Sequence, residues 1–139
     1  MLDVLEHIAD PTESLLRAEE LLAPGGVLLV TVPAFRALWT HHDELNHHVT
    51  RFSRAQLLGL FRRTRLQVRL ARYLFHWLVL VKLAVRWKEL VLGPSKGPRR
   101  LPPSWVNRTL YRLCLIEQQA GSALRLPFGS SVLVVADSR

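Results

Sequence analysis

The sequence contains a single cysteine, Cys114, and no long uncharged apolar run, and each shortage excludes a class of protein. One thiol cannot form an internal disulfide, so a disulfide framework is excluded and a reducing compartment is favoured. The longest apolar run without charge, residues 73–81, is too short to cross a bilayer. Residues 1–11 are acidic and lack the basic start of a secretory signal. We therefore expect a cytoplasmic protein.

Acidic residues are also scarce: 11 Asp and Glu face 19 Lys and Arg, which gives a formal net charge of +8. The basic residues concentrate between positions 51 and 112, and such an excess favours anionic partners. The basic clusters at 62–65 and 99–100 lack interleaved aromatic residues and any nucleic-acid-binding motif. The charge alone does not choose among nucleic acid, anionic lipid headgroups and phosphorylated substrates, and a solvated surface is the favoured interpretation of the two clusters. Nucleic acid is therefore not the expected partner, and peripheral association with an anionic membrane stays an open alternative.

Hydrophobic periodicity and turn residues predict alternating strands and helices, which places the chain in the α/β class. Asp10 is expected to cap the first helix, with Pro11 in its first position and Glu13 completing a capping box. The apolar run Val27–Val32 is typical of a strand that is covered on both faces, as in a parallel sheet.

The second half of the chain continues this alternation. Ser53 is expected to cap the helix that follows a long loop, with Gln56 at the capping-box position. Residues 66–72 alternate apolar and polar side chains, which predicts a half-exposed strand, and the last strand is expected to pair beside it. In the first half, the sequence predicts a strand end at 2–5, a helix from 11 that stops at 24–26, a strand at 27–32, a loop at 34–52 and a helix from 54. In the second half, it predicts a strand at 66–72, a helix at 74–92, a basic proline-rich linker at 94–104, a helix from 105 to about 124 and a strand at 131–136.

Four segments carry a more specific signal. DVLEHIAD at 3–10 follows the first strand end, and LLAPGGVLLVTVP at 21–33 turns into the next strand. LWTHHDELNHHVTRFS at 38–53 fills the long loop, and LPFGSSVLVVA at 126–136 forms the last strand. Each segment alone is weak, but together, in this order, they resemble class I S-adenosylmethionine-dependent methyltransferases of the small-molecule type.

The resemblance implies a Rossmann-like sheet whose last strand runs antiparallel, with flanking helices and a helical insertion at 73–128 between the last two strands. Cofactor and acceptor would meet at the carboxyl ends of the parallel strands. The implied cofactor is S-adenosylmethionine, yet the family's glycine-rich loop and acidic ribose-binding residue are absent from this sequence. We therefore interpret residues 1–139 as a single partial domain, the C-terminal half of a methyltransferase, truncated and inactive alone. Its partner would be the missing N-terminal half.

The segment after the first strand end is expected to lie near the cofactor. By the resemblance, Asp3, Val4, Leu5 and Glu6 would contact S-adenosylmethionine through backbone and packing contacts. His7 would serve in catalysis as a proton acceptor. The alternative is that the first three residues are ordinary strand core and that the histidine is a capping or surface residue.

The histidine-rich loop at 34–52 is longer than most connections in compact domains, and such loops are commonly functional. It can close over the acceptor with a histidine that accepts a proton, bind a metal, or satisfy its own buried backbone groups. Its HHDxxxHH spacing matches no strong metal motif, so no metal ligand is assigned. The catalytic candidates here are His47 and Arg51, and the arginine can pair with a substrate carboxylate or phosphate. The substrate-binding candidates are Trp39, Asp43, His48 and Phe52.

Two hypotheses of function follow. In the first, the chain is half of an S-adenosylmethionine-dependent methyltransferase that acts on a small-molecule or lipid-like acceptor. In the second, it is a non-catalytic basic α/β module that binds anionic membrane or nucleic acid. The helix at 74–92 bears on both, because its aromatic and basic residues suit an interfacial membrane helix, although a cap over the active site explains them too.

Overall fold

The computed structural model describes residues 1–93, 103–120 and 126–138, which fold into a three-stranded sheet with helices. The predicted linker at 94–104 and the end of the last predicted helix fall largely outside these residues. The helices are α1 (Pro11–Glu20), α2 (His41–Leu45), α3 (Arg54–Phe61), α4 (His76–Leu92) and α5 (Ser104–Ala120), and the strands are β1 (Val27–Pro33), β2 (Gln67–Leu74) and β3 (Ser131–Asp137). Two short 3₁₀ helices lie at Leu5–His7 and Arg36–Leu38.

The sheet has the strand order β1-β3-β2, and β3 runs antiparallel to both of its neighbours. Strands β1 and β2 are therefore parallel to each other but joined only through β3. This arrangement confirms the α/β class and the antiparallel last strand beside β2. The sheet is a partial Rossmann-like sheet with flanking helices.

Helix caps form largely where the sequence predicts them. The Asp10 carboxylate accepts hydrogen bonds from the backbone N–H groups of Thr12 and Glu13, which would otherwise lack partners. Glu13 donates only its backbone N–H, so the predicted capping box of α1 is reduced to a single capping side chain. At the start of α3, Ser53 and Gln56 form the complete reciprocal capping box.

The predicted strand at 2–5 is wrong in extent. Only Leu2 forms a bridge, parallel to Thr31 of β1, and the chain then turns into the first 3₁₀ helix. Asp3 has a φ of 51°, which interrupts the extended backbone, and its carboxylate accepts a hydrogen bond from the Thr31 hydroxyl. This turn directs the next residues away from the sheet and toward the histidine-rich loop.

Strand β1 is covered on one face only, contrary to the prediction of cover on both. Leu28, Val30 and Val32 are buried in a core with apolar residues of α1 and α3, whereas Val27 and Leu29 on the other face are about half exposed. The sheet register aligns three apolar residues in one row across this uncovered side, which we call the open face. The row consists of Leu29, Val135 and Leu70.

The segment at 34–52 is a closed and partly helical excursion rather than an irregular loop. It contains the second 3₁₀ helix and α2, whose capping box joins Thr40 and Asp43. Its two ends meet where the Phe52 N–H donates to the Pro33 carbonyl over 3.0 Å and the Phe35 N–H donates to the Phe52 carbonyl over 3.2 Å. We call residues 34–52 the histidine loop.

Helices α4 and α5 lie between β2 and β3 in the chain, and α4 has no buried residue. Two side chains fasten α4 to the histidine loop. Arg86 donates to the Ala37 carbonyl over 2.6 Å, and the Glu89 carboxylate accepts from the His41 N–H over 3.0 Å. Within the described residues, no helix combines the length and apolar character needed to cross a membrane.

Candidate functional site

An open pocket of about 320 Å³ lies at the carboxyl end of β1, where Rossmann-like sheets bind their ligands. The turn after Leu2, the histidine loop, α4 and the start of β3 all contribute to it. Polar and charged side chains dominate the lining, so the pocket suits a polar reacting group. The lining residues are Asp3, Glu6, His7, Pro33, His42, Asn46, His48, Arg51, Lys82 and Ser131.

Asp43 is the fully buried centre of a charged network behind this pocket. Arg51 donates to both of its carboxylate oxygens, over 2.8 and 3.0 Å, and the His48 Nδ1 lies 2.8 Å from one of them. Burial by itself would raise the pKa of Asp43, but the hydrogen bonds from Arg51, the Thr40 backbone and His48 outweigh burial and lower that pKa to about 2. Asp43 is therefore ionised at neutral pH, and it fixes the positions of both Arg51 and His48.

Arg51 is itself buried, and its guanidinium is largely used inside the protein. Besides the two bonds to Asp43, it donates to the Ala34 carbonyl over 3.0 Å. These bonds join the base of the histidine loop to α2 and orient the residues that reach the pocket.

Glu6 is buried, with 1% of its surface exposed, and neither carboxylate oxygen has a hydrogen-bond partner among the described residues. Burial raises the pKa of Glu6 above its ordinary value. Its backbone carbonyl, in contrast, accepts from the N–H groups of Val49 and Thr50. The first 3₁₀ helix is thereby attached to the histidine loop while the Glu6 side chain remains unpaired.

His7 and His48 lie beside Glu6 and connect the two segments that the sequence singled out. Their rings meet edge to face with centroids 4.7 Å apart. His7 is exposed and lines the pocket, whereas the side chain of His48 is only 13% exposed. The arrangement therefore offers one accessible imidazole and one that is held by a carboxylate.

Lys82 reaches the same pocket from α4. Burial and the nearby Arg51 lower the pKa of the Lys82 ammonium group. Burial disfavours the charged form of such an amine relative to a surface lysine, and Lys82 brings a basic group to the pocket.

The sequence-predicted site residues divide between the pocket and its surroundings. Asp3, Glu6, His7, His48 and Arg51 line the pocket. The structure thus brings together residues from both predicted segments, although they are far apart in the chain.

The remaining candidates lie outside the pocket lining. Asp43 is buried behind it, Leu5 and Phe52 belong to the hydrophobic core, and Val4 is exposed. Two candidates of the histidine loop are placed elsewhere. Trp39 lines a neighbouring depression with Arg86 and Glu89 of α4, and His47 is exposed, with a φ of 56°.

Several pocket residues were not among the predicted site residues. The sequence indicates Lys82 only as part of a basic helix, because helical periodicity does not show which other segment a residue meets. Ser131 and Pro33 are strand-end residues, and the expectation that ligands bind at strand ends could have identified them. His42 lies in α2 and Asn46 caps the end of that helix, which the sequence did not predict.

A larger open depression of about 920 Å³ lies between the end of α1 and the start of β2, lined by residues such as Glu19 and Gln67. Its lining contains no histidine, and it is at the opposite end of β2 from the pocket described above. Its size reflects an uncovered gap between elements rather than a set of converging reactive groups. We therefore place the candidate site at the carboxyl end of β1.

A methyltransferase domain family matches residues 1–73, which include β1, the first 3₁₀ helix and the histidine loop. The chain belongs to the methyltransferase domain family. The expected family is thus confirmed, and the matched residues supply most of the pocket. No curated protein matches the chain.

A solved structure shares the fold of this methyltransferase domain. It comes from the complex between the Haloferax volcanii Trm112 methyltransferase activator and a protein assigned as a methyltransferase. The likeness has a TM-score of 0.50 at 19% sequence identity, and it covers 98% of this chain and 51% of that one. The present chain therefore spans about half the length of the methyltransferase structure that it matches.

Proposed function

We propose that this domain carries the acceptor side of an S-adenosylmethionine-dependent methyltransferase whose acceptor is a small or lipid-like molecule. One observation carries the proposal: the pocket at the carboxyl end of β1 joins the Asp3–His7 segment to the histidine loop. In such folds, cofactor and acceptor meet at this end of the sheet. Methyl transfer needs mainly close alignment of the nucleophile with the methyl group, together with removal of a proton from some nucleophiles.

In this proposal His7 is the proton acceptor, because its imidazole is accessible from the pocket and lies beside the buried Glu6 carboxylate. Arg51 is a positioning residue, since its guanidinium is bound to Asp43 and the Ala34 carbonyl. Through Asp43 it holds His48 against His7. His47 is the least suitable of the predicted catalytic residues, because it is exposed and does not line the pocket.

The cofactor would lie against the residues that precede His7. Asp3 and Glu6 line the pocket and offer carboxylates, while Val4 and Leu5 would contribute backbone contacts. The 139-residue sequence contains no glycine-rich cofactor loop, so we propose that tight cofactor binding requires that loop from the N-terminal half of the fold. The open face of the sheet, with the row Leu29–Val135–Leu70, is where such a half would pack.

A lipid-like acceptor is suggested by the exposed apolar surface of α4, which we propose rests on an anionic membrane from the cytoplasmic side. Leu80, Trp87 and Leu90 are each at least 70% exposed, and basic residues such as Arg86 and Lys88 alternate with them. An apolar helix surface with neighbouring cations is typical of an interfacial helix. Since Lys82 on the same helix lines the pocket, a membrane-bound acceptor would have a short path to the site.

The test is transfer of labelled methyl groups from S-adenosylmethionine by a form of the protein that includes the glycine-rich loop. We expect product in lipid extracts or small-molecule fractions, and His7→Ala should lower turnover by about 100-fold, the usual contribution of a positioned proton acceptor. His41→Ala is the matched control, because His41 belongs to the same loop but not to this pocket. Absence of labelled product from every fraction would refute the proposed activity.

The alternative is a non-catalytic basic module that binds anionic membrane or nucleic acid, and the exposed surface of α4 favours the membrane form. Sedimentation with vesicles separates the two hypotheses when combined with the methyl-transfer assay. Binding to anionic but not neutral vesicles, without methyl transfer by a form that carries the loop, would support the module. Methyl transfer that His7→Ala abolishes would support the enzyme.

A further inference from the structure

Three potential metal ligands converge at the pocket, although they come from separate parts of the chain. One ligand atom each from Glu6, His7 and His48 lies within 4.8 Å of the others. This cluster is not apparent in the sequence, because the histidine loop alone has no metal-binding spacing. The first 3₁₀ helix supplies two of the three residues.

The Glu6 carboxylate is the first reason to expect a cation here. Both of its oxygens are buried without a hydrogen-bond partner among the described residues. A buried carboxylate without a partner is costly unless it takes up a proton or a cation. The neighbouring imidazoles of His7 and His48 are ligands that suit a transition metal.

His48 gives the second reason. Its Nδ1 is 2.8 Å from the Asp43 carboxylate, which is ionised and itself held by two hydrogen bonds from Arg51. A carboxylate that accepts the Nδ1–H of a histidine fixes the tautomer and leaves Nε2 free to bind an ion, as around many metal centres. The network behind the pocket would therefore hold His48 in the orientation that metal binding requires.

We propose that Glu6, His7 and His48 bind one divalent transition-metal ion of the zinc class. Two imidazoles and one carboxylate are a common ligand set for such an ion, and the fourth position would open on the pocket, where water or an acceptor oxygen would bind. Bonds of about 2.1 Å place tetrahedral ligand atoms roughly 3.4 Å apart. The ligand atoms, which lie within 4.8 Å of one another, must therefore approach one another on metal binding, and rotation of the exposed His7 ring can supply part of that movement.

The pocket also contains charges that oppose a cation. Arg51 is neutralised by Asp43, whereas Lys82 lines the same pocket without a salt bridge to any carboxylate of the described residues, and its charge would repel the ion. Removal of that charge should therefore tighten metal binding. Metal binding at this site does not depend on methyl transfer, so it can be tested on the 139-residue chain without cofactor or acceptor.

The experiment is titration of the full chain with Co²⁺, followed by visible absorption and calorimetry, and then displacement by Zn²⁺. We expect one ion per chain at micromolar or tighter affinity. His7→Ala and Glu6→Gln should each weaken it by at least about 100-fold, beyond the 10–100-fold typical of outer-shell partners. His47→Ala is the matched control, since it removes an exposed imidazole outside the pocket, and it should leave the affinity unchanged.

His7 is exposed, so its replacement should not prevent folding, and circular dichroism checks this point. Lys82→Met keeps the length of the side chain and should tighten Co²⁺ binding several-fold. Absence of saturable binding, equal losses in His7→Ala and His47→Ala, or an unchanged or weaker affinity in Lys82→Met would each overturn the proposed site. A His7 nitrogen that binds a metal cannot also accept a proton, so saturable binding would assign His7 as a ligand in the metal-loaded protein and would confine its role as proton acceptor to the metal-free protein. The metal titration uses neither cofactor nor acceptor, so its failure does not decide the methyl-transfer assay.

Discussion

At the scale of single residues, Asp43 determines how the histidine loop is built. Its carboxylate accepts hydrogen bonds from the Thr40 N–H at the start of α2 and from Arg51 at both oxygens, and it also contacts the His48 ring. Asp43 itself has no exposed surface. A buried ion pair of this kind adds little net stability compared with apolar packing, but loss of one partner is costly. The network therefore specifies the loop conformation more than it strengthens the fold.

Arg51→Ala should lower the free energy of unfolding by about 3–5 kcal/mol, because it leaves the Asp43 carboxylate buried without its main partner. Urea unfolding at neutral pH measures this loss. Arg63→Ala, which removes an exposed arginine just after α3, is the matched control and should change stability by less than about 0.5 kcal/mol. Similar values for the two variants would show that the buried pair does not hold the loop.

The stability of the domain should fall in acid because of Asp43. Its pKa is lowered from an ordinary 3.8 to about 2, so its contribution is complete above 3.8 and is lost as the pH falls toward 2. The loss is on the order of 2 kcal/mol for a shift of this size. Unfolding free energies measured across this range should therefore decline with acid, and a flat profile would contradict the assigned charge state.

Glu6 should make the domain less stable at neutral pH than in acid, the opposite of the effect of Asp43, because the pKa of Glu6 is raised. A raised carboxyl pKa means that stability falls as the pH rises from 4.5 through the folded-state value. Glu6→Gln should remove this fall, so the variant should be more stable than the parent at neutral pH in metal-free buffer and equally stable in acid. Unfolding of both proteins at matched pH values is the measurement, and a less stable variant at neutral pH would refute the prediction.

At the scale of elements, local sequence signals were sufficient for most helices and strands. Asp10 and Ser53 cap helices because their side chains reach the free N–H groups of the first turn, an interaction between near neighbours in sequence. The exposure of Leu29 was not predictable in the same way. A continuous apolar strand indicates that both faces can be covered, but the helices that would cover the second face are not part of the described residues.

The approach of β2 to the turn before β3 depends on Gly129. A Cβ atom there would lie 2.5 Å from the Leu74 carbonyl oxygen and 2.8 Å from the Tyr73 Cβ. Gly129→Ala should therefore cost about 1–3 kcal/mol in unfolding free energy, since backbone atoms cannot move aside cheaply. Thermal unfolding gives the comparison.

Gly59→Ala is the matched control for this substitution. Gly59 lies within α3, and a Cβ atom added there would meet nothing within 4 Å, so alanine should raise stability by up to about 1 kcal/mol through helix propensity. Equal effects of the two alanines would indicate that the turn tolerates a side chain and that β2 and β3 meet less closely.

At the scale of the whole molecule, the candidate site was predictable only in part. The resemblance identified Glu6, His7, His48 and Arg51 by their segments, but not their contacts. Their convergence depends on two contacts between distant parts of the chain. The Glu6 carbonyl accepts hydrogen bonds from N–H groups of the histidine loop, and the two ends of that loop are hydrogen-bonded to each other. Such long-range contacts produce no periodic pattern in the sequence. For the same reason the sequence did not identify Lys82 as a residue of the pocket.

The isolated 139-residue chain should bind S-adenosylmethionine weakly. The sequence lacks the glycine-rich loop and the acidic ribose partner, so the pocket can offer only the acceptor-side contacts. Isothermal titration of the chain with S-adenosylmethionine tests this expectation, with a form that includes the loop as the positive control. Micromolar affinity of the isolated chain would show that residues 3–6 hold the cofactor without that loop.

The position of β3 has a consequence for synthesis on the ribosome. Strands β1 and β2 have no hydrogen bonds to each other, and each pairs with β3, which follows them both in sequence. Until residues 131–137 have emerged from the exit tunnel, β1 and β2 lack their shared partner, and their apolar edges stay open to other chains. During synthesis these strand edges are thus exposed to aggregation for a time, and slower translation would lengthen that time.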